Sequence, residues 1–391
     1  MTTRILTRKL ALATHPFWNY FLIVTVALAA FRSVDAEPWA PPNSLDSLPA
    51  TAELPDLFSF VDGRRVESVE SWELRRKEMK AILQYYEYGH MPPRPDVVKV
   101  ENFESRQLSD CNATEQQMTL VLGSQAKLRM RIAVYRPDQE GRLPVIIREE
   151  AELGHTEEVP LLMKRNFMLV EYARQDLDPD KPDVVGPAQR AYPDYDWATL
   201  AVWAWGGMRV VDYLESRNDI DLSRIGITGH SRGGKMALLA GALDERFALV
   251  APNGSGCGGA GCYRVEGEKC ETLGKITDPK RFAYWFHPRL RWFDGKEDRL
   301  PLDQHFLKAL VAPRALICTE ANGDNWANPL GTRATTKAAQ KAFEFLGADT
   351  KNAIHFREGK HGFTPSDWQA ILDFAEWHFF GKVPSDVEQF R

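Results

Sequence analysis

The chain is poor in several things that would have marked its class at once. Only five of its 391 residues are cysteine, at 111, 257, 262, 270 and 318. None makes a C-x-x-C pair and no His/Cys spacing suits zinc, so no metal site is expected. There is no long basic run, and 49 basic against 54 acidic side chains give a formal charge of −5. Nucleic-acid binding therefore has no electrostatic basis. No internal repeat is visible. The one long apolar stretch, Phe21–Phe31, covers 11 residues and is too short to cross a bilayer comfortably. What the chain has in quantity is core material: 44% apolar and 11% aromatic residues exclude both a disordered chain and a disulfide-held miniprotein.

That apolar stretch reads as an address. Arg4, Arg8 and Lys9 precede it, and Val34-Asp35-Ala36 then offers small residues before Glu37-Pro38. A basic start, a short apolar run and a small-x-Ala exit make a secretory signal over residues 1–36, with an uncleaved anchor as the alternative. Its removal takes four basic residues and one acidic one, moving the net charge from −5 to −8. The expected destination is the periplasm or the exterior, with no stable membrane association after cleavage. Export permits disulfides, and an odd cysteine count leaves at least one thiol unpaired. A local bridge among Cys257, Cys262 and Cys270 would suit their spacing.

Residues 37–70 read as an extended lead-in, with prolines at 38, 41, 42, 49 and 55, and residues 71–391 as one domain. Helical spacing runs from Trp72 to Tyr88 and stops at Gly89, while Met118–Leu122 and Leu128–Tyr135 alternate as strands. Beyond them, strands at 143–147, 167–172, 225–228, 247–252, 314–319 and 354–357 are interleaved with helices at 160–164, 197–214, 234–243, 334–346 and 366–380. This order predicts an α/β fold, a mainly parallel central sheet with helices on both faces.

Between the strand at 225–228 and the helix after Gly234 lies Gly229-His230-Ser231-Arg232-Gly233. This is G-x-S-x-G in the strand–turn–helix setting of the α/β-hydrolase nucleophile elbow. The turn lifts the Ser231 hydroxyl above the sheet, side chains at 229 and 233 would collide with neighbouring backbone, and the helix start aims N–H groups at a nearby oxyanion. In such folds an acid and then a histidine follow the serine. His361, in Glu358-Gly-Lys-His-Gly-Phe363 before the final helix, is the expected base. The acid should follow the strand at 314–319, where Asp324 is favoured over Glu320.

Further stretches extend the pattern: Ser231-Arg-Gly-Gly-Lys235, Ser255-Gly-Cys-Gly-Gly-Ala260, Trp203-Ala-Trp-Gly206, Tyr284-Trp-Phe286, Leu302-Asp-Gln-His305, Asp324-Asn-Trp-Ala327 and Asp367-Trp368 after His361. Together, over roughly residues 75 to 381, the sequence resembles the glucuronoyl esterases, carbohydrate esterase family 15. The resemblance implies a serine esterase that cleaves esters of 4-O-methyl-glucuronic acid on xylan and needs no cofactor. It also implies Arg232 as a cationic oxyanion donor, Lys235 as a sugar-hydroxyl ligand and Trp326 as a flat wall for a sugar ring.

Two departures bear on that reading. Many fungal relatives carry the triad acid in an E-S-G-x-G-G context, where this chain has Gly254, so its acid must come from the later loop. The loop Arg148-Glu-Glu-Ala-Glu152 is also unusually acidic, and three carboxylates near the mouth would disfavour an anionic ligand. An acetyl-xylan esterase or other acyl hydrolase is the alternative activity, and a non-catalytic carbohydrate-binding homologue the alternative class.

Overall fold

In the computed structural model the described residues are 39–125, 128–154 and 157–391, so the expected leader lies outside them. Their strands are β1 (Val98–Leu108), β2 (Ala113–Leu122), β3 (Leu128–Pro137), β4 (Leu143–Glu150), β5 (Met168–Ala173), β6 (Ile220–His230), β7 (Leu249–Asn253), β8 (Ala315–Ala321) and β9 (Asn352–Arg357). They form one nine-stranded sheet in the order β1-β2-β3-β5-β4-β6-β7-β8-β9. The β1 to β3 ladder is antiparallel and β3 joins β5 antiparallel; every pairing from β5 to β9 is parallel. The fold is that of an α/β-hydrolase.

Helices cover both faces, as the alternating pattern requires. On one face lie α1 (Val69–Leu83), α4 (Thr199–Leu214), α5 (Arg232–Leu243), α7 (His305–Val311) and α8 (Pro329–Phe345), whose buried side chains join Val145, Ile147, Ile225 and Ile227 in one core. On the other, α2 (Val159–Lys164) and α9 (Pro365–Phe380) pack on Ile146, Leu169, Leu249 and Ile317. Successive residues of β4 thus serve opposite cores, the period of two of a doubly covered strand. The short helices α3 (Pro187–Ala191) and α6 (Leu273–Ile276) sit in the long connections. Helix α4 is buried along its whole length, and its Trp203 and Trp205 satisfy their indole N–H groups on the carbonyls of Asp178 and Pro92.

Several expectations meet a different structure. Strand β1 has no counterpart in the sequence pattern: nine of its 11 residues are exposed, so it carries no apolar alternation and is held by its ladder with β2. The lead-in is not merely extended, since Leu48, Leu57, Phe60 and Val66 belong to the core. The bridge suited to Cys257, Cys262 and Cys270 does not form, and all five cysteines are free thiols. Cys262 instead takes part in hydrogen bonds with Asp303 and the Val265 N–H. Among the described residues no helix is long and apolar enough to cross a membrane.

Candidate active site

Parallel strands deliver their following loops to one edge of the sheet, and β6, β8 and β9 each supply one residue there. Ser231 links β6 directly to α5 with φ 57° and ψ −116°, a strained conformation for a residue with a side chain. Its N–H donates to the Asn253 carbonyl at 2.9 Å, which fixes the turn against β7. The flanking glycines are sterically required. A Cβ on Gly229 would lie 2.5 Å from the Gly233 carbonyl, and one on Gly233 would lie 1.8 Å from Glu149 Oε1. The second contact is with a side chain, not with the backbone expected from sequence.

Asp324 and His361 meet: His361 Nδ1 is 2.5 Å from Asp324 Oδ2, with the carboxylate almost fully buried. The two loops are sewn together by backbone, since Asn322 N–H donates to the Arg357 carbonyl and Gly323 N–H to that of Gly359. Arg357 then binds the histidine loop, donating to the Gly362 carbonyl at 2.6 Å and to Asp367 at 2.7 Å in the first turn of α9. Glu320, the competing acid, points elsewhere. It accepts from the Thr332 hydroxyl at 3.0 Å, and burial pushes its carboxyl up to about 8 despite that bond.

His230, the variable residue of the elbow, was not singled out by sequence and packs its ring 4.4 Å from that of His361. Burial first, then the neighbouring imidazole, holds it below the usual histidine range, although its Nδ1 lies 2.6 Å from Asn253 Oδ1. This tilted ring contact places His361 beside the nucleophile turn. Position 254 lies in the same place: a Cβ on Gly254 would be 3.6 Å from Asp324 Oδ2. Position 254, just after β7, and Asp324, after β8, therefore approach one point.

The remaining predicted residues fare differently. Arg232 pairs with Asp180 and lies 5.0 Å over the Trp285 ring, which stacks on Phe282 at 4.3 Å. Lys235, expected to bond sugar hydroxyls, is 2% exposed and all three of its donors are engaged. It donates to the Ser255 carbonyl and to Glu271 at 2.6 Å each, and to the Cys257 carbonyl. Its work here is to hold the glycine-rich loop, because it retains no free N–H. Trp326 is half-buried, with Lys275 and Arg281 at 5.4 and 5.0 Å over its ring. The acidic loop is not a free negative patch. Glu149 pairs with Arg174, Glu150 with Arg148 and Glu152 with Arg131, although each of these guanidiniums also serves a further carboxylate, so the loop's negative charge is reduced and not cancelled.

A strained serine at a strand–helix turn, beside a histidine bound to a buried aspartate, is the constellation of acyl transfer through a covalent intermediate. Residues 120–347 match the family model described as glucuronyl esterase, fungi. The chain belongs to the glucuronoyl esterase family. It is 30% identical to a 4-O-methyl-glucuronoyl methylesterase of Schizophyllum commune, over 91% of this chain and 89% of that one. Among solved structures, a family 15 glucuronoyl esterase from Caldicellulosiruptor kristjansonii superposes with a TM-score of 0.76 at 29% identity, covering 88% and 95% of the two chains. A Sporotrichum thermophile glucuronoyl esterase variant in complex with methyl 4-O-methyl-β-D-glucopyranuronate gives 0.72 at 26% identity, over 86% and 90%. As a member of this family the protein is a carboxylic ester hydrolase. Among the described residues no three His, Cys, Asp or Glu side chains are grouped to hold a metal ion.

Proposed function

We propose that this glucuronoyl esterase is exported, loses residues 1–36, and cleaves esters of 4-O-methyl-glucuronic acid in glucuronoxylan through a Ser231-His361-Asp324 triad. The observation that carries the reading is the 2.5 Å bond between His361 and Asp324 beside the Ser231 turn. Asp324 accepts from Nδ1 and so leaves Nε2 of His361 to take the Ser231 proton. Ser231 Oγ attacks the ester carbonyl, and the charge that develops on its oxygen is met by N–H groups at the start of α5 and by Arg232. The alcohol leaves with the proton from His361. Water, deprotonated by the same imidazole, then opens the acyl-enzyme and releases the uronate. Trp326 offers a flat face to the sugar ring, and the methyl glucuronate held by the Sporotrichum thermophile relative supports a substrate of that class.

The test compares benzyl glucuronate ester and an acetylated xylan, with wild type and Ser231→Ala. Expected is serine-dependent cleavage of the glucuronate ester with weak acetate release. Acetate release alone would keep the triad and overturn the uronate substrate, and inactivity on both would point to a carbohydrate-binding homologue.

A further inference from the structure

Arg232 is held from behind. Asp180, which follows β5, has a side chain only 10% exposed. Its Oδ2 accepts from Arg232 Nη1 and, at 3.5 Å, from Arg174 Nη2. Its Oδ1 accepts from the Tyr284 hydroxyl at 2.8 Å and the Trp285 indole N–H at 2.9 Å. Burial alone would raise this carboxyl, but the bonds from Trp285, Arg232 and Tyr284 outweigh it and keep the group ionised. Arg174 in turn binds Glu149 at 2.5 Å, and Glu149 fills the space that a side chain at Gly233, in the first turn of α5, would need. Two carboxylates and two guanidiniums alternate from beneath the nucleophile to its side, and their formal charges cancel.

The proposed reaction gives that cancellation a use. Its substrate is a neutral ester and its product an anion. A lone guanidinium beside Ser231 would retain the product carboxylate as firmly as it stabilises the transition state. A guanidinium already balanced by a carboxylate still offers N–H groups to the oxygen on which charge becomes concentrated, while its attraction for a diffuse resting anion is reduced. We propose that Asp180 is a positioning residue that aims Arg232 and cancels its resting charge, so that the site favours the passing oxyanion over the uronate product. The inference rests on the uronate-ester reading above.

Wild-type kinetics on benzyl glucuronate ester come first, since no turnover there would remove the underlying reading and this inference with it. Given turnover, Asp180→Asn should lower kcat by roughly ten- to a hundredfold. It should also tighten inhibition by free glucuronate about fivefold, the scale of one partly exposed charge interaction. Asp180→Glu keeps the charge and moves the carboxylate by one methylene, so it should lower kcat and leave glucuronate inhibition unchanged. A merely structural role would move the two variants alike. Wild-type kcat or unaltered product inhibition in Asp180→Asn would overturn the proposal. If that variant does not fold, wild-type kcat in Asp180→Glu would overturn it equally.

Discussion

Asp324 and Glu320 are four residues apart and live in opposite chemical worlds. Asp324 is paired with an imidazole, whereas Glu320 is buried against a hydroxyl with its carboxyl pushed up to about 8. Asp324→Asn should therefore cost about a thousandfold or more in kcat, through the wrong imidazole tautomer. Glu320→Gln should leave turnover near wild type. The pH dependence of stability separates them further. A carboxyl raised in the folded state binds its proton more tightly than in the unfolded chain, so its contribution is full below pH 4.5 and is lost as pH rises toward 8. Thermal midpoints should accordingly show Glu320→Gln gaining on wild type between pH 5 and pH 8. The Ser231 turn and the pairing of Asp324 with His361 were legible because a motif and a chain order point to them. Asp180, Glu149 and Glu271 were not, because an ion-pair partner far along the chain leaves no spacing or period in the sequence. Lys235 misled for the same reason: its place one turn after Ser231 was readable, but the Glu271 and two carbonyls that consume its donors were not.

At the scale of elements, the histidine loop owes its position to Arg357 at the end of β9. Its guanidinium fork spans the Gly362 carbonyl and Asp367, which also caps α9 by accepting from the Thr364 N–H and hydroxyl. Arg357→Lys keeps a cation near Asp367 but loses the fork. The expected outcome is a kcat reduced roughly ten- to a hundredfold through a displaced His361, with a thermal midpoint close to wild type. A wild-type kcat would show that the loop is held by other contacts, and a comparable fall in the thermal midpoint would make Arg357 a support of the whole fold. Elements with two buried faces, such as β4 and β8, stood out in the sequence as short apolar runs. Strand β1 did not, since hydrogen bonding to β2 leaves no trace in side-chain hydrophobicity.

For the molecule as a whole, acid stability should be set by buried imidazoles. His305 is 1% exposed, with Nε2 donating to the Pro55 carbonyl at 2.8 Å and Nδ1 buried without a partner. Burial lowers its pKa to about 4, and that of His378 likewise to about 4. The unfolded chain takes up these protons first, so the contribution of the two imidazoles should be full above pH 6.5 and fall as pH drops toward 4. Calorimetry across that window should show the fall, and His305→Gln should flatten part of it. The same bond seats the lead-in on this imidazole, and a proton on the unpartnered Nδ1 needs water, so acid should loosen the segment before Ser68 early, as limited proteolysis would report.

The alternating row Glu149–Arg174–Asp180–Arg232 has one more consequence. Dissolved ions screen a charge in proportion to its exposure, over a Debye length of roughly 8 Å at physiological ionic strength. Three members of this row are at most about a tenth exposed and all four are paired at contact distance. Brine and fresh water therefore leave the three buried members much the same and act mainly on Arg232, which is 38% exposed and whose counter-ion the enzyme itself carries.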